Sequence, residues 1–150
     1  MRAVIQRVEK ASVVISENEI AKIERGLLVL LGIEIEDAKE DALWLASKIA
    51  TLRIFSDEKG VMNKSVTELG GEVIVVSQFT LHAKTKKGNR PSYIKAARPE
   101  QAIPLYEQFK KNLSKAIASE VQSGEFGTDM KVSLINDGPV TIIIDTKNKE

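Results

Sequence analysis

Cysteine is absent from this sequence, and histidine occurs once, at position 82. The first absence removes disulfides, thiolate zinc sites, iron–sulfur clusters and cysteine nucleophiles together. The second leaves no set of imidazole ligands for a metal within one chain, so no metal or other cofactor is expected. No apolar run approaches the ~20 residues of a membrane span, and the amino terminus lacks a signal-peptide pattern; a cytoplasmic protein without a membrane partner is expected. A Gly-rich phosphate loop, an HExxH pair and a GxSxG elbow are also missing. What remains is ordinary globular material: 150 residues, 43% hydrophobic and 29% charged. That is the size of one domain spanning 1–150, able to bury roughly 68–70% of its unfolded surface.

The net charge of +1 conceals a strong asymmetry. Between His82 and Arg98 lie Lys84, Lys86, Lys87, Arg90, Lys95 and Arg98 without a single acid, which is +6 against −5 for the remainder. A basic loop of this kind is either a solvated surface or a positioning surface for phosphates, which holds RNA without reading its sequence. Tyr93 is the only aromatic residue within it, which argues against a stacking platform for several bases.

Periodicity predicts an α+β domain. Residues 1–35 read as β-structure, with Leu27–Ile33 apolar enough for a strand buried on both faces. Ala38, Ala42, Leu45, Ala46 and Ile49 recur at helical spacing over 37–52, with Asp37 as N-cap. Arg53-Ile54-Phe55 is extended, and Val73–Val76 forms a core strand. Leu105, Phe109, Leu113, Ala116 and Ile117 mark a second helix over 100–121, with Pro104 tolerable only in its first turn and Gly124 and Gly127 ending it. Two last strands, Met130–Ile135 and Val140–Ile144, are joined by Asn136-Asp137-Gly138-Pro139. The expected architecture is a single layered domain, mainly an antiparallel, barrel-like β-sheet covered by two helices.

Two segments place polar residues directly against apolar strands. In Ser77-Gln78-Phe79-Thr80-Leu81, Ser77 and Thr80 carry hydroxyls that either act in chemistry or hydrogen-bond to the strand end, and a hydroxyl nucleophile needs a base. His82 follows two residues later, but no buried carboxylate is evident to orient it, and a solvated loop histidine is the simpler reading. The pairs Glu34/Glu36 and Asp37/Asp41 read as solvent-facing. Asn136-Asp137-Gly138-Pro139-Val140-Thr141 has the composition of a hairpin turn with a trans Gly-Pro bond.

Taken together, these residues carry a resemblance. Ile5-Gln6-Arg7-Val8 with Ala11-Ser12-Val13, the strand Gly26–Gly32, Arg53-Ile54-Phe55, Arg90-Pro91-Ser92, and above all Ser-Gln-Phe-Thr-Leu at 77–81 and Asn-x-Gly-Pro-Val-Thr at 136–141 make the chain similar to the D-aminoacyl-tRNA deacylase family over essentially its whole length. The resemblance implies a homodimer that hydrolyses the ester of D-aminoacyl-tRNA, and of glycine mischarged on alanine tRNA. Ser77, Gln78, Phe79 and Thr80 would form the catalytic segment. A cis Gly138-Pro139 would enter the partner subunit's site and reject L-amino acids. Lys84, Lys86, Lys87 and Arg90 would bind the tRNA. His82 is not part of the family pattern. Two mechanisms remain open, attack by Thr80 and attack by water assisted by the tRNA 2′-hydroxyl; the scarcity of bases favours the second. A non-catalytic RNA-binding domain using 82–98 and a hydrolase of small D-amino-acid esters are the competing expectations.

Overall fold

The computed structural model describes residues 1–150. Its frame is a mixed β-sheet built on one long strand, β1 (Arg2–Ile15). One edge of β1 pairs first with β3 (Gly26–Gly32) through residues 2–8 and then with β2 (Asn18–Ile23) through residues 11–15. Its other edge pairs antiparallel with the long last strand, β8 (Lys131–Asp145). The short strands β4 (Phe55–Ser56) and β5 (Met62–Lys64) form a separate ribbon.

The sheet is mainly antiparallel, as expected, but it is mixed and not purely so. β3 runs parallel to β6 (Glu72–Ser77), in the register Leu27↔Val73 to Leu31↔Ser77, and β6 runs parallel to β7 (Gln122–Ser123). The cause lies in the connection: helix α1 (Lys39–Thr51) and the one-turn helix α2 (Val66–Leu69) separate β3 from β6, and so long a crossover returns the chain in the same direction. Three helices are present rather than two, the third being α3 (Pro99–Ile117).

The apolar stripes fall where the spacing requires, except that Ala38 and Ala116 are exposed. Ala42, Leu45, Ala46 and Ile49 of α1 and Leu105, Phe109, Leu113 and Ile117 of α3 are buried against Ile5, Leu27, Val29, Val73 and Val75. The opposite face of the same strands sends Leu28, Ile74 and Val76 into a second cluster with Val8, Val13 and Ile23. β3 and β6 are thus covered on both sides, which is why their sequences are continuous apolar runs rather than alternating ones.

Four local expectations are corrected. The α1 N-cap is Ala38; Asp37 is instead buried, where its carboxylate pairs with the Met1 ammonium and accepts from the Glu34 amide at 2.7 Å. Glu34 is buried as well, while Glu36 faces solvent. Pro104 sits in the sixth position of α3, beyond the first turn, with its ring exposed, so the missing N–H falls on the solvent side of the helix. The helix ends at Ala118, which takes the left-handed cap conformation, before either glycine is reached.

Candidate active site

Ser77 is the last residue of β6, and the strand stops there. The Gln78 amide still donates to the Leu31 carbonyl at 2.8 Å, holding the segment to the end of β3. Phe79–His82 then winds into a single 3-10 turn, closed by Leu81 N–H to the Gln78 carbonyl and Ala83 N–H to the Thr80 carbonyl. Gly32 permits this fold-back: a Cβ there would lie 2.9 Å from the Gln78 oxygen and 3.0 Å from His82 Cδ2. Because the strand does not continue, His82 tucks inward instead of lying in a solvated loop. It is 4% exposed, and its Nε2 has no hydrogen-bond partner.

The amides of Phe79 and Thr80 open the turn, where N–H groups have no acceptor inside it. Beside them the Gln78 carboxamide donates to Thr80 Oγ1 at 2.5 Å. A cavity of about 290 Å³ lies against this segment, lined by Ser77, Gln78 and Phe79 together with apolar Leu31, Ile33, Val76, Phe126, Met130 and Val132. Thr80 does not reach its wall. The volume suits a ligand of a few rings in a mostly apolar pocket. No group of three or more His, Asp or Glu side chains is arranged to hold a metal ion.

The second motif is not a hairpin turn. Asn136 pairs with Val8 and Thr141 with Gln6, so residues 137–140 form a bulge within one continuous strand, opposite Arg7 alone. The Asn136 side chain replaces the lost ladder bonds, accepting from the Val140 amide at 2.8 Å and donating to the Val140 carbonyl at 3.1 Å. Arg7 grips the bulge from beneath: Nε donates to the Asp137 carbonyl at 2.9 Å, and Nη1 donates to the Ile54 carbonyl at 2.6 Å. The Gly138-Pro139 bond is cis, Gly138 has φ +145°, and both residues are exposed. Only glycine fits that position, since a Cβ would also press within 2.7 Å of the Val140 side chain.

The two motifs lie apart within one chain. None of residues 136–141 lines the cavity at 77–79. Arg7, under the bulge, faces Leu27, whereas Ser77 pairs with Leu31, four residues further along β3. At ~3.3 Å per residue that is about 13 Å along the strands, with β1 and β3 between them as well.

Lys84, Lys86, Lys87 and Arg90 are all exposed. They sit on a hoop whose base is closed by Lys84 N–H to Ser92 O at 2.8 Å and Ser92 N–H to Lys84 O at 3.0 Å. None of the four belongs to an ion pair within the chain, so their charge faces outward. The contact that sequence reading missed is Phe79 against Tyr93, edge to face with ring centroids 5.0 Å apart. Fourteen positions separate them, and no periodicity connects a strand end to a loop.

Residues 4–145 match the family of D-Tyr-tRNA(Tyr) deacylase. The chain belongs to that family. It is 65% identical to a D-aminoacyl-tRNA deacylase of Bacteroides fragilis, with both chains covered completely. It is 64% identical, again over the whole of both chains, to a D-aminoacyl-tRNA deacylase of Flavobacterium psychrophilum. Among solved structures it resembles a protein described as c-Myc DNA Unwinding Element Binding Protein, with TM-score 0.92 and 42% identity over 97% of this chain and 98% of that one. The fold is also that of a probable eukaryotic D-amino acid tRNA deacylase, at TM-score 0.81 and 16% identity over 95% and 97% of the two chains. Family membership therefore rests on the full length of the chain and not on the two motifs alone. No helix is long and apolar enough to cross a membrane.

Proposed function

We propose that this chain, as a cytoplasmic homodimer, hydrolyses the ester linking a D-amino acid to the 3′-terminal adenosine of tRNA, without a cofactor. The pocket beside Ser77, Gln78 and Phe79 holds the aminoacyl-adenosine end. The free amides of Phe79 and Thr80 receive the negative charge that develops on the ester carbonyl oxygen, a role in which one donor is typically worth ~10²–10³ in rate. Gly138 and Pro139 of the partner subunit close the pocket. Their carbonyls accept from the substrate's α-ammonium group and occupy the volume an L side chain needs. Glycine has no side chain to reject, so glycine mischarged on alanine tRNA is also a substrate. Lys84, Lys86, Lys87 and Arg90 hold the tRNA backbone, independent of its sequence.

Within this reading, water assisted by the substrate's 2′-hydroxyl is the nucleophile. Water adds to the carbonyl carbon, the carbon–O3′ bond breaks, and the water's proton passes through the 2′-hydroxyl to the departing 3′-oxygen. The observation that carries this choice is the direction of one hydrogen bond. Thr80 Oγ1 accepts from Gln78, a group that cannot take a proton, and His82 Nε2 makes no hydrogen bond to the threonine. A hydroxyl nucleophile needs a neighbouring base, and Thr80 has a donor there instead. The separation of the two motifs supports the cross-subunit arrangement. So does β8, which leaves Ile135 44% and Ile143 69% exposed along a long unpaired edge.

The test is ester loss from D-tyrosyl-, L-tyrosyl- and glycyl-tRNA. Loss of the D and glycyl esters with the L ester intact is expected; protection of all three would leave only an RNA binder. Thr80→Ala is expected to keep turnover within about tenfold, whereas a terminal 2′-deoxyadenosine substrate loses at least about a hundredfold, in the range of a lost proton-transfer group. A dead Thr80→Ala enzyme that still folds and binds tRNA, or a 2′-deoxy ester cleaved at full rate, would overturn the assignment.

A further inference from the structure

The basic hoop and the 77–80 segment meet at one aromatic contact, and its placement is specific. Tyr93 lies directly after the clamp between Lys84 and Ser92. On its other side, Ala96 N–H donates to the Tyr93 carbonyl at 3.0 Å, Ile35 N–H to the Lys95 carbonyl at 3.0 Å and Ala97 N–H to the Ile33 carbonyl at 2.9 Å. The backbone of Tyr93 is thereby tied to the end of β3 on one side and to the cation-bearing hoop on the other. Its ring reaches across to Phe79 at 76° between planes. Phe79 needs such a brace, because 55% of it is exposed and the turn it begins is a single 3-10 turn. The core gives the side chain of Phe79 no other aromatic neighbour.

We infer that Tyr93 is a positioning residue of the hydrolytic site, acting through Phe79 to fix the direction of the Phe79 and Thr80 amides. The inference rests on the reading of those amides as the carbonyl-oxygen site. It goes beyond that reading in giving the residue next to the hoop a part in turnover and not in RNA binding. The contact is made by the ring, so phenylalanine can replace tyrosine at 93. An aromatic pair of this geometry is worth enough to bias the turn about three- to tenfold toward the aligned state.

The experiment compares kcat and KM on D-tyrosyl-tRNA and on 3′-O-D-tyrosyl-adenosine, which lacks the tRNA backbone that the cations of the hoop would hold. Tyr93→Ala is expected to lower kcat about three- to tenfold on both substrates while KM for the tRNA stays within about twofold, and Tyr93→Phe is expected to restore wild-type kcat. Tyr93→Leu keeps apolar bulk without a ring edge; it should behave as Tyr93→Ala does and decides the question if the alanine variant melts early. A rise in KM for the tRNA alone, with kcat intact, would overturn the inference by making Tyr93 a direct RNA contact. Impairment of Tyr93→Phe equal to that of Tyr93→Ala would overturn it by implicating the hydroxyl. A wild-type protein that cleaves neither substrate would remove the deacylase reading itself, a result separate from any property of residue 93.

Discussion

Arg7 holds the Asp137 carbonyl at 2.9 Å with Nε while the same guanidinium reaches the Ile54 carbonyl at 2.6 Å. One side chain of β1 therefore ties the bulge of β8 to the segment entering β4. A charged donor bonded to two carbonyls in a nearly buried place is worth more than an ordinary hydrogen bond, and its removal leaves both acceptors without it. Arg7→Met is expected to lower stability by about 3 kcal/mol, read from the denaturant midpoint, since each bond to a charged group is worth ~1.5–3 kcal/mol. Arg7→Lys should recover little of this, because one ammonium cannot span both carbonyls as the fork does. The loosened bulge should also erode selection, so the L-ester gains rate relative to the D-ester in the folded variants. Unchanged discrimination in a destabilised Arg7→Lys enzyme would separate the two roles.

The amide of Phe79 can be removed without disturbing the backbone. Gln78 has φ −144° and ψ 79°, outside the helical region that a following proline disfavours, and the turn itself supplies the φ a proline requires. Phe79→Pro deletes one N–H and the ring together, so Phe79→Leu is the control that deletes the ring alone. The expected loss in kcat for the proline variant is ~10²–10³ beyond that of the leucine variant. Equal rates for the two would mean that this amide does not face the carbonyl oxygen.

Subunit mixing tests whether the site is completed by the partner. Phe79→Pro removes an amide from the turn, and Gly138→Ala damages the bulge, where a Cβ meets Val140. In a two-fold dimer with shared sites, a mixed dimer holds one site with both defects and one site with neither. Random exchange should restore about a quarter of wild-type D-ester hydrolysis, because half of the dimers are mixed and half of their sites are intact. If each site were built within one chain, every site would keep a defect and mixing would restore nothing.

Much of the core and the first motif could be read from the residues, because burial on both faces leaves a local mark. Leu27–Gly32 and Val73–Val76 are apolar without alternation, and the helix stripes at Leu45 and Phe109 recur every three or four residues. What escaped depended on contacts between distant segments. Asn136 to Pro139 has the composition of a turn, yet the ladder to β1 on either side and the grip of Arg7 keep β8 continuous. His82 reads as a loop residue until the close approach over Gly32 is known. The parallel pairing of β3 with β6 was implicit in the intervening helix, although strand-rich composition pointed to antiparallel order.

Acid sensitivity should trace in part to Asp41 at the start of α1. Burial opposes its ionisation, but the Ala38 amide and the Lys147 ammonium, each at 2.9 Å, outweigh it and hold the carboxyl at about 2. A carboxylate whose folded value lies below its unfolded value of ~3.9 adds stability that is complete above the unfolded value and vanishes as pH falls through the folded one. The window is therefore about pH 4 down to about pH 2, and stability declines with acid across it. Asp41→Asn should be less stable than wild type at neutral pH, with the two denaturant midpoints converging across that window. Asp145 is also held below the usual carboxylate range, by Arg2 and the Lys147 amide against the opposing effect of burial, so the variant keeps some acid sensitivity. Parallel midpoint curves between pH 4 and pH 2 would show that Asp41 contributes nothing to the acid transition.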